Sequence, residues 1–512
     1  MKARSLSVLL TVALGRPLVA QCPDGAPPPC RPGRAASHPV PSNTVAVLYF
    51  DNLSRDTADA YLADGLTDEI TTRLGQIERL TVTSRTTMRR YRGQTGDPQA
   101  LARTLRVAHL VNGSVRRGPG RLRVGVELVR ARDGVQLWTE SYDRIDGDVL
   151  AIEADVARAV ATAIAGRLLP GERATLAARA TRNPAAHDRV LRGNYLMVGR
   201  READALRAVE EYRAAIALDQ RYADAYARIG WVYSLFRNWN WHVPGVSRDS
   251  VIGLAFAAAQ QALRLDSASA LAWFADASAR AERNDLTFVG VERSLDRALS
   301  LDPRLAEAHW LHANVRLRTG DAAGFREAAH RALELEPERP ITLAFLGLDM
   351  LAERRYAEAR RWMDSAVAIA PAFAYGLSLR GGIRALQGDP GALTDVADGL
   401  RASGGGDTSL ALALVAFANA YVGDSAAART FGERAYVELL HQQIPLFDEG
   451  ATWLAGAQLR LGLREEALRT LERANPTTWL RFYLRYPFFD TARADERFQR
   501  VVASVTAGDE NR

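Results

Sequence analysis

Apolar positions along this chain follow two periods, and the switch between them marks its main internal boundary. Val45-Ala46-Val47-Leu48-Tyr49-Phe50 is an unbroken apolar run of strand length, the pattern of a strand buried on both faces. Leu62, Leu66, Ile70 and Leu74 then recur every fourth residue and predict one face of a helix. A second strand is expected over 80–83, a helix over 98–106 and a third strand over 108–115. Leu122, Val124, Val126 and Leu128 alternate with Arg123, Gly125 and Glu127, the period of a half-buried strand. Asp133-Gly134 is a hairpin signal that places its antiparallel partner over 135–142. Val149, Ile152, Val156, Val160, Ile164 and Leu168 share a helix face, and Pro170-Gly171 is expected to stop that helix. The order β-α-β-α-β-β-β-α predicts an α/β domain over 44–169, with a mixed sheet and about three helices.

After a polar linker expected at 170–184, the pattern is helical throughout. Pro303, Pro337 and Pro371 are each 34 residues apart, as are Ala298, Ala332 and Ala366. A proline inside a helix costs about 3 kcal/mol, so these prolines mark helix boundaries and the alanines lie inside the preceding helices. A helix-turn-helix unit of that length is a tetratricopeptide repeat, and such units stack into a solenoid. Small residues where helices cross fit about eight repeats over 185–478. They include Ala208 and Ala215 in the first, Gly230 and Ala262 in the second, Gly347 and Ala366 in the fifth, Gly381 in the sixth and Ala455 and Ala474 in the eighth. The aromatic segment from Trp479 to Phe498 is expected to cover the last apolar face, within a C-terminal cap and tail over 479–512. The fold class expected is thus an α/β domain followed by an all-α solenoid.

Composition narrows the chemistry. The chain has 512 residues and a formal charge of +6, and Lys2 is its only lysine. Without a later lysine there is no P-loop, no kinase strand lysine and no Schiff-base amine. Residues 1–20 read as an export signal: Lys2 and Arg4, an apolar run from Leu6 to Leu14, then Leu18-Val19-Ala20. Gln21 before Cys22 argues against a lipid anchor. Cys22 and Cys30 bracket a Pro-rich loop inside a disordered tail expected over 21–43, and in an oxidising compartment they are expected to form a disulfide. Residues 79–144 hold 14 arginines against five acidic residues. That basic face offers a site for an envelope protein or an anionic polymer, or is simply solvated; export argues against nucleic acid.

Four motifs in order resemble one family. They are Ala46-Val47-Leu48-Tyr49-Phe50-Asp51-Asn52-Leu53-Ser54, Leu62-Ala63-Asp64-Gly65-Leu66-Thr67-Asp68-Glu69-Ile70, Asn112-Gly113-Ser114-Val115-Arg116 and Leu137-Trp138-Thr139-Glu140-Ser141-Tyr142-Asp143-Arg144. Together they are similar to the TolB-like N-terminal domain, which commonly precedes tetratricopeptide repeats in bacterial regulators. Phe488-Phe489-Asp490 and Asp495-Glu496-Arg497-Phe498 look like that family's chain ending. Relatives often carry a DNA-binding, cyclase or kinase module in front, and here 43 residues precede the first strand. The resemblance therefore implies a free-standing version without that output.

The first helices of such repeats face a groove, and on this register Trp231, Phe274, Trp310, Asn314 and Leu348 line it. Aromatic anchors beside an amide suit a peptide or protein segment, and packing between repeats is the competing reading. Trp239 and Trp241 mark a second place, either a packing plug or a ligand platform. His309, His312 and His330 lack an acidic residue to complete a metal set. Asp64, Asp68 and Glu69 are expected to complement a helix N-terminus. Catalytic motifs are not found, so the reading is a non-enzymatic exported scaffold, periplasmic or secreted, needing no cofactor. Its α/β domain is expected to dock to an envelope partner; an intracellular signalling adaptor is the alternative.

Overall fold

Val45, Ala46 and Val47 are fully buried, and this places β1 (Thr44–Val47) in the interior of the sheet. After it come β2 (Asp51–Asn52), β3 (Thr81–Val82), β4 (His109–Gly118), β5 (Arg121–Arg130) and β6 (Gln136–Ile145). In the computed structural model, the described residues are 40–506 without 94–96, 146–147, 200, 240, 284–287, 289, 404–408 and 443–445. The expected signal and the Cys22–Cys30 pair lie outside them. The sheet order is β3-β1-β4-β5-β6, with β2 beside β4. β1 runs parallel to β3 and β4, while β4, β5 and β6 form an antiparallel meander whose second turn holds Gly134 at φ +71°.

Four helices accompany the sheet: α1 (Ala60–Gly75), α2 (Arg85–Arg89), α3 (Pro98–Leu105) and α4 (Val149–Ala165). Leu62, Leu66 and Ile70 of α1 and Ile152, Val156 and Val160 of α4 pack against Val45, Val47 and the buried residues of β5. Ala46 faces the other way, toward Met88 of α2 and Ala102 of α3. Periodicity missed α2, because five residues are too few to show it. The Ser84 side chain, accepting from the Thr87 N–H, starts that helix.

Part of the stretch 170–184, expected as a polar linker, is helical. α4 ends at Gly166, and Pro170 opens a further helix, α5 (Pro170–Ala177), where its missing N–H costs nothing. Leu176 is fully buried, Arg73 donates to the Leu176 and Ala178 carbonyls, and Arg79 clamps Glu172 at 2.6 Å.

Among the described residues eight helix hairpins follow. They are α6 (Pro184–Leu196) with α7 (Glu202–Leu218), α8 (Ala223–Asn238) with α9 (Arg248–Leu265), α10 (Ala270–Ala281) with α11 (Val291–Leu301), and α12 (Ala306–Thr319) with α13 (Ala322–Leu335). Then come α14 (Pro340–Ala352) with α15 (Tyr356–Ile369), α16 (Ala374–Leu386) with α17 (Ala392–Ala402), α18 (Ser409–Val422) with α19 (Ser425–Gln442), and α20 (Asp448–Arg460) with α21 (Arg464–Glu472). Ala298, Ala332 and Ala366 are fully buried, and their carbonyls accept the closing N–H groups of Asp302, Glu336 and Ala370. Each closing residue stands directly before one of the three spaced prolines, so the 34-residue interval is the interval between helix ends.

Glycines set how closely the two helices of a hairpin approach. A Cβ on Gly381 would lie 2.5 Å from Val396 and 2.9 Å from the Ala392 carbonyl oxygen. Gly381→Ala gains up to about 1 kcal/mol of helix propensity, but overpacking against fixed backbone costs about 1–3 kcal/mol. Net destabilisation is therefore expected in urea titrations; a rise in stability would show that α16 and α17 can separate freely.

The aromatic C-terminal segment forms α22 (Thr478–Tyr483), a 3-10 turn (Pro487–Phe489) and α23 (Glu496–Thr506). Phe488 packs 5.0 Å from Phe417 and 5.2 Å from Trp453, covering the last hairpins. The same segment reaches back to α12, where Arg318 donates to Thr478 at 2.8 Å. The superhelix thereby closes on itself.

Candidate functional site: an aromatic cavity

The first helices of the hairpins turn inward and line a partly open cavity of about 1340 Å³. Trp231 of α8, Phe274 of α10 and Trp310 and Asn314 of α12 all line it, so four of the five expected groove residues come together. Asn314 is held by its own helix, donating to the Trp310 carbonyl at 2.8 Å. Leu348 does not join them. It is fully buried in the core between repeats, and Phe345, one turn earlier on α14, takes the cavity-facing place. Phe345 meets Trp310 at 5.4 Å and Trp479 of the cap at 5.3 Å.

Trp239 and Trp241 act as both a plug and a wall. Their rings lie 5.8 Å apart, Trp241 packs edge-on against Phe236 at 5.5 Å, and Trp239 reaches Tyr375 of α16 at 6.2 Å while both line the cavity.

The cap end carries residues that the repeat register did not single out. Asp448 and Glu449 open α20, and both are buried. The Tyr375 hydroxyl donates to Glu449 at 3.0 Å. Burial pushes the Glu449 carboxyl up to about 8 and also raises that of Asp448. In sequence they look like ordinary acids in a first helical turn. Their burial comes from the cap, about 30 residues later in the chain, and no local pattern signals it.

Arg85 and Arg89 of the α/β domain also line the cavity. Arg85 of α2 bridges Asp68 and Glu307, Arg90 pairs with Glu338 at 2.9 Å, and Arg304 donates to the carbonyls of Leu80 and Val82. The basic stretch 79–144 is thus largely neutralised within the molecule. Arg79, Arg92 and Arg117 pair with Glu172, Asp64 and Asp59, while Arg121 and Arg123 share Asp143. Part of the arginine excess in that segment thus answers acidic residues elsewhere in the chain, while Arg121 and Arg123 stay exposed.

Asp64 and Asp68 lie one and two turns inside α1 rather than at its N-terminus. Asp64 sits 2.9 Å from Arg92, yet burial lifts its carboxyl to about 6. Asp68 accepts from the Tyr49 hydroxyl, and Asp51 is exposed on β2. The three histidines have separate partners: His309 the Pro303 carbonyl, His312 the Arg316 guanidinium and His330 the Trp362 ring. Among the described residues no group of His, Cys, Asp or Glu is arranged to hold a metal ion, and no helix is long and apolar enough to cross a membrane.

No family model matches the chain. A protein of Rhizobium meliloti (strain 1021) named "Putative adenylate cyclase 3" is 30% identical over 230 residues, which is 44% of this chain and 39% of that protein. The chain thus spans about two fifths of the length of this curated relative. Among solved structures it is similar to the APC/C hetero-tetramer Cut9-Hcn1, with TM-score 0.45, 12% identity and coverage of 70% of this chain and 63% of that one. It is also similar to yeast Tom70, with TM-score 0.36, 12% identity and coverage of 71% and 79%. YrrB, described as a TPR protein with an unusual peptide-binding site, gives TM-score 0.26, 17% identity and coverage of 38% and 93%.

Proposed function

We propose that this chain is a non-enzymatic binding scaffold whose superhelix takes a peptide segment of a protein partner into its central cavity. The carrying observation is the convergence of Trp231, Phe274, Trp310 and Asn314 from three consecutive hairpins on one partly open cavity. Rigid aromatic anchors in a partly desolvated pocket are where interface energy concentrates. The test is selection of a random-peptide display library on the full chain, followed by affinity measurement on a variant carrying Trp310→Ala and Asn314→Ala. Removing such an anchor typically costs about 2 kcal/mol, so the selected peptides are expected to bind the variant at least tenfold more weakly. Unchanged affinity, with an unchanged circular dichroism spectrum, would remove the cavity from the role.

We place the scaffold in an export pathway, as a periplasmic or secreted protein with an envelope partner at the α/β domain. The support is Lys2, Arg4 and the apolar run from Leu6 to Leu14, with Cys22 and Cys30 just beyond. The likeness to a cyclase over 230 residues favours the second reading, an intracellular adaptor beside a separately encoded output module. Mass spectrometry of the mature N-terminus separates them, since export predicts removal of about 20 residues and the adaptor retains them.

A further inference from the structure

Among the described residues most strongly buried carboxylates have an arginine. Asp276 pairs with Arg280, Asp349 with Arg326, Asp395 with Arg380 and Arg384, and Glu336 with Arg339. Glu449 is an exception among the described residues. It is 4% exposed, it faces the cavity beside Tyr375, Tyr483, Trp453 and its neighbour Asp448, and among the described residues no arginine forms an ion pair with it. A buried charge without a counterion is costly, so the empty site keeps Glu449 protonated at neutral pH, and its ionised form becomes favourable only beside a positive charge.

The walls suit such a charge. Tyr483 stacks on Trp479 with centroids 6.0 Å apart, Trp479 meets Phe345 at 5.3 Å, and Phe345 stacks on Tyr375 at 6.1 Å. Aromatic faces attract guanidinium and ammonium groups, most strongly where water is excluded. The molecule already uses one of these rings that way, since the Arg318 guanidinium lies 5.0 Å over Trp479. Arg318 itself is committed to Glu282 at 3.2 Å and leaves Glu449 unanswered.

We propose that the cap end of the cavity is a cation subsite, in which Glu449 and the rings of Tyr375, Trp479 and Tyr483 receive an arginine or lysine side chain of the bound peptide. The proposal rests on the reading of the cavity as a peptide site and adds the chemistry of its anchor. Burial holds the empty Glu449 near 8, so at neutral pH an arriving cation displaces a proton. Affinity for a permanent cation therefore rises between pH 6 and 9. The titratable groups facing Glu449 are Asp448 on its own helix, Tyr375 from α16, Tyr483 from α22 and Tyr486 just beyond it. All three phenols are raised well above 10 and do not titrate in that window. Arg237 and Arg248 act on Asp448.

The experiment titrates the full chain with N-acetylarginine amide and its uncharged isostere N-acetylcitrulline amide, followed by tryptophan fluorescence. The arginine probe is expected to bind at least tenfold tighter, with the difference collapsing in Glu449→Gln, which keeps the Tyr375 hydrogen bond. Equal binding of the two probes, absence of binding, or a preference that survives in Glu449→Gln overturns the proposal. Library peptides that bind through Trp310 but tolerate loss of every basic residue also overturn it, and they leave the cavity reading standing. Tight binding of the arginine probe at Glu449 with no peptide selected supports the cation subsite and removes the peptide reading instead.

Discussion

Replacing Arg318 with methionine is expected to lower the unfolding free energy by about 3–5 kcal/mol, the range for removing one member of a buried ion pair. Arg318 is 5% exposed, and its guanidinium serves three parts of the ring at once. Nε donates to Thr478 on the cap at 2.8 Å, Nη1 to Glu282 at 3.2 Å and Nη2 to the Ala281 carbonyl at the end of α10 at 2.9 Å. Phe288 and Trp479 cover its face at 4.7 and 5.0 Å. Methionine fills the volume of the stem but leaves Glu282 with the Asn238 amide, 3.1 Å away, as its remaining hydrogen bond among the described residues. The loss is expected to fall on closure as well as on total stability, so limited proteolysis before Thr478 should accelerate. Adding Glu282→Gln to Arg318→Met should recover part of the loss, because the stranded charge is then gone. A change under about 1 kcal/mol in urea, with unchanged proteolysis, would mean that the cap is held by its ring packing alone.

What the sequence disclosed and what it hid divide by range of interaction. The phase of Pro303, Pro337 and Pro371 reports helix ends, a local property, and the observed ends agree with it. The alternation of β5 reports one buried face, and Leu122, Val124, Val126 and Leu128 are all buried. Pro170 was ambiguous because the same ring ends one helix and begins another, and only the contact of Leu176 with the α/β core decides between these. Leu348 and Phe345 show the harder case. α14 is apolar on nearly every side, since the cap covers the face that would otherwise meet water, so hydrophobicity cannot say which residue turns inward. The anionic end of the cavity was hidden for the same reason. Asp448 and Glu449 are buried by Trp479 and Tyr483, which reach them only when the superhelix completes its turn. The arginine excess of 79–144 was legible as charge but not as purpose, because its partners Glu307 and Glu338 lie more than 200 residues away.

Arg73→Met is expected to cost about 3–5 kcal/mol and to make the remaining stability more pH-dependent. Glu153 of α4 is fully buried where the α/β domain meets the first hairpin. Arg73 of α1 lies 3.7 Å from it, and His187 of α6 bonds it through Nε2 at 2.9 Å while Nδ1 is 3.2 Å from the Tyr222 hydroxyl. Arg73 also ties α5 through two carbonyls, so one guanidinium joins α1, α4 and α5. Burial pushes the His187 pKa down, but Glu153 pushes it up and prevails, while Arg73 lowers it. A histidine whose folded pKa is raised contributes stability that is fully present below its unfolded value, about 6.5, and is lost as pH climbs through the folded value. Without Arg73 that folded value rises further, and protonated His187 becomes the only cation on Glu153. The wild type is therefore expected to lose some stability between pH 6 and 8.5, and Arg73→Met to lose more across the same interval. Urea titrations at the two pH values measure the difference directly. A loss in Arg73→Met that is equal at both would show that His187 does not neutralise Glu153, and that the joint is held by apolar packing, such as Gly65 of α1 against Leu191 of α6.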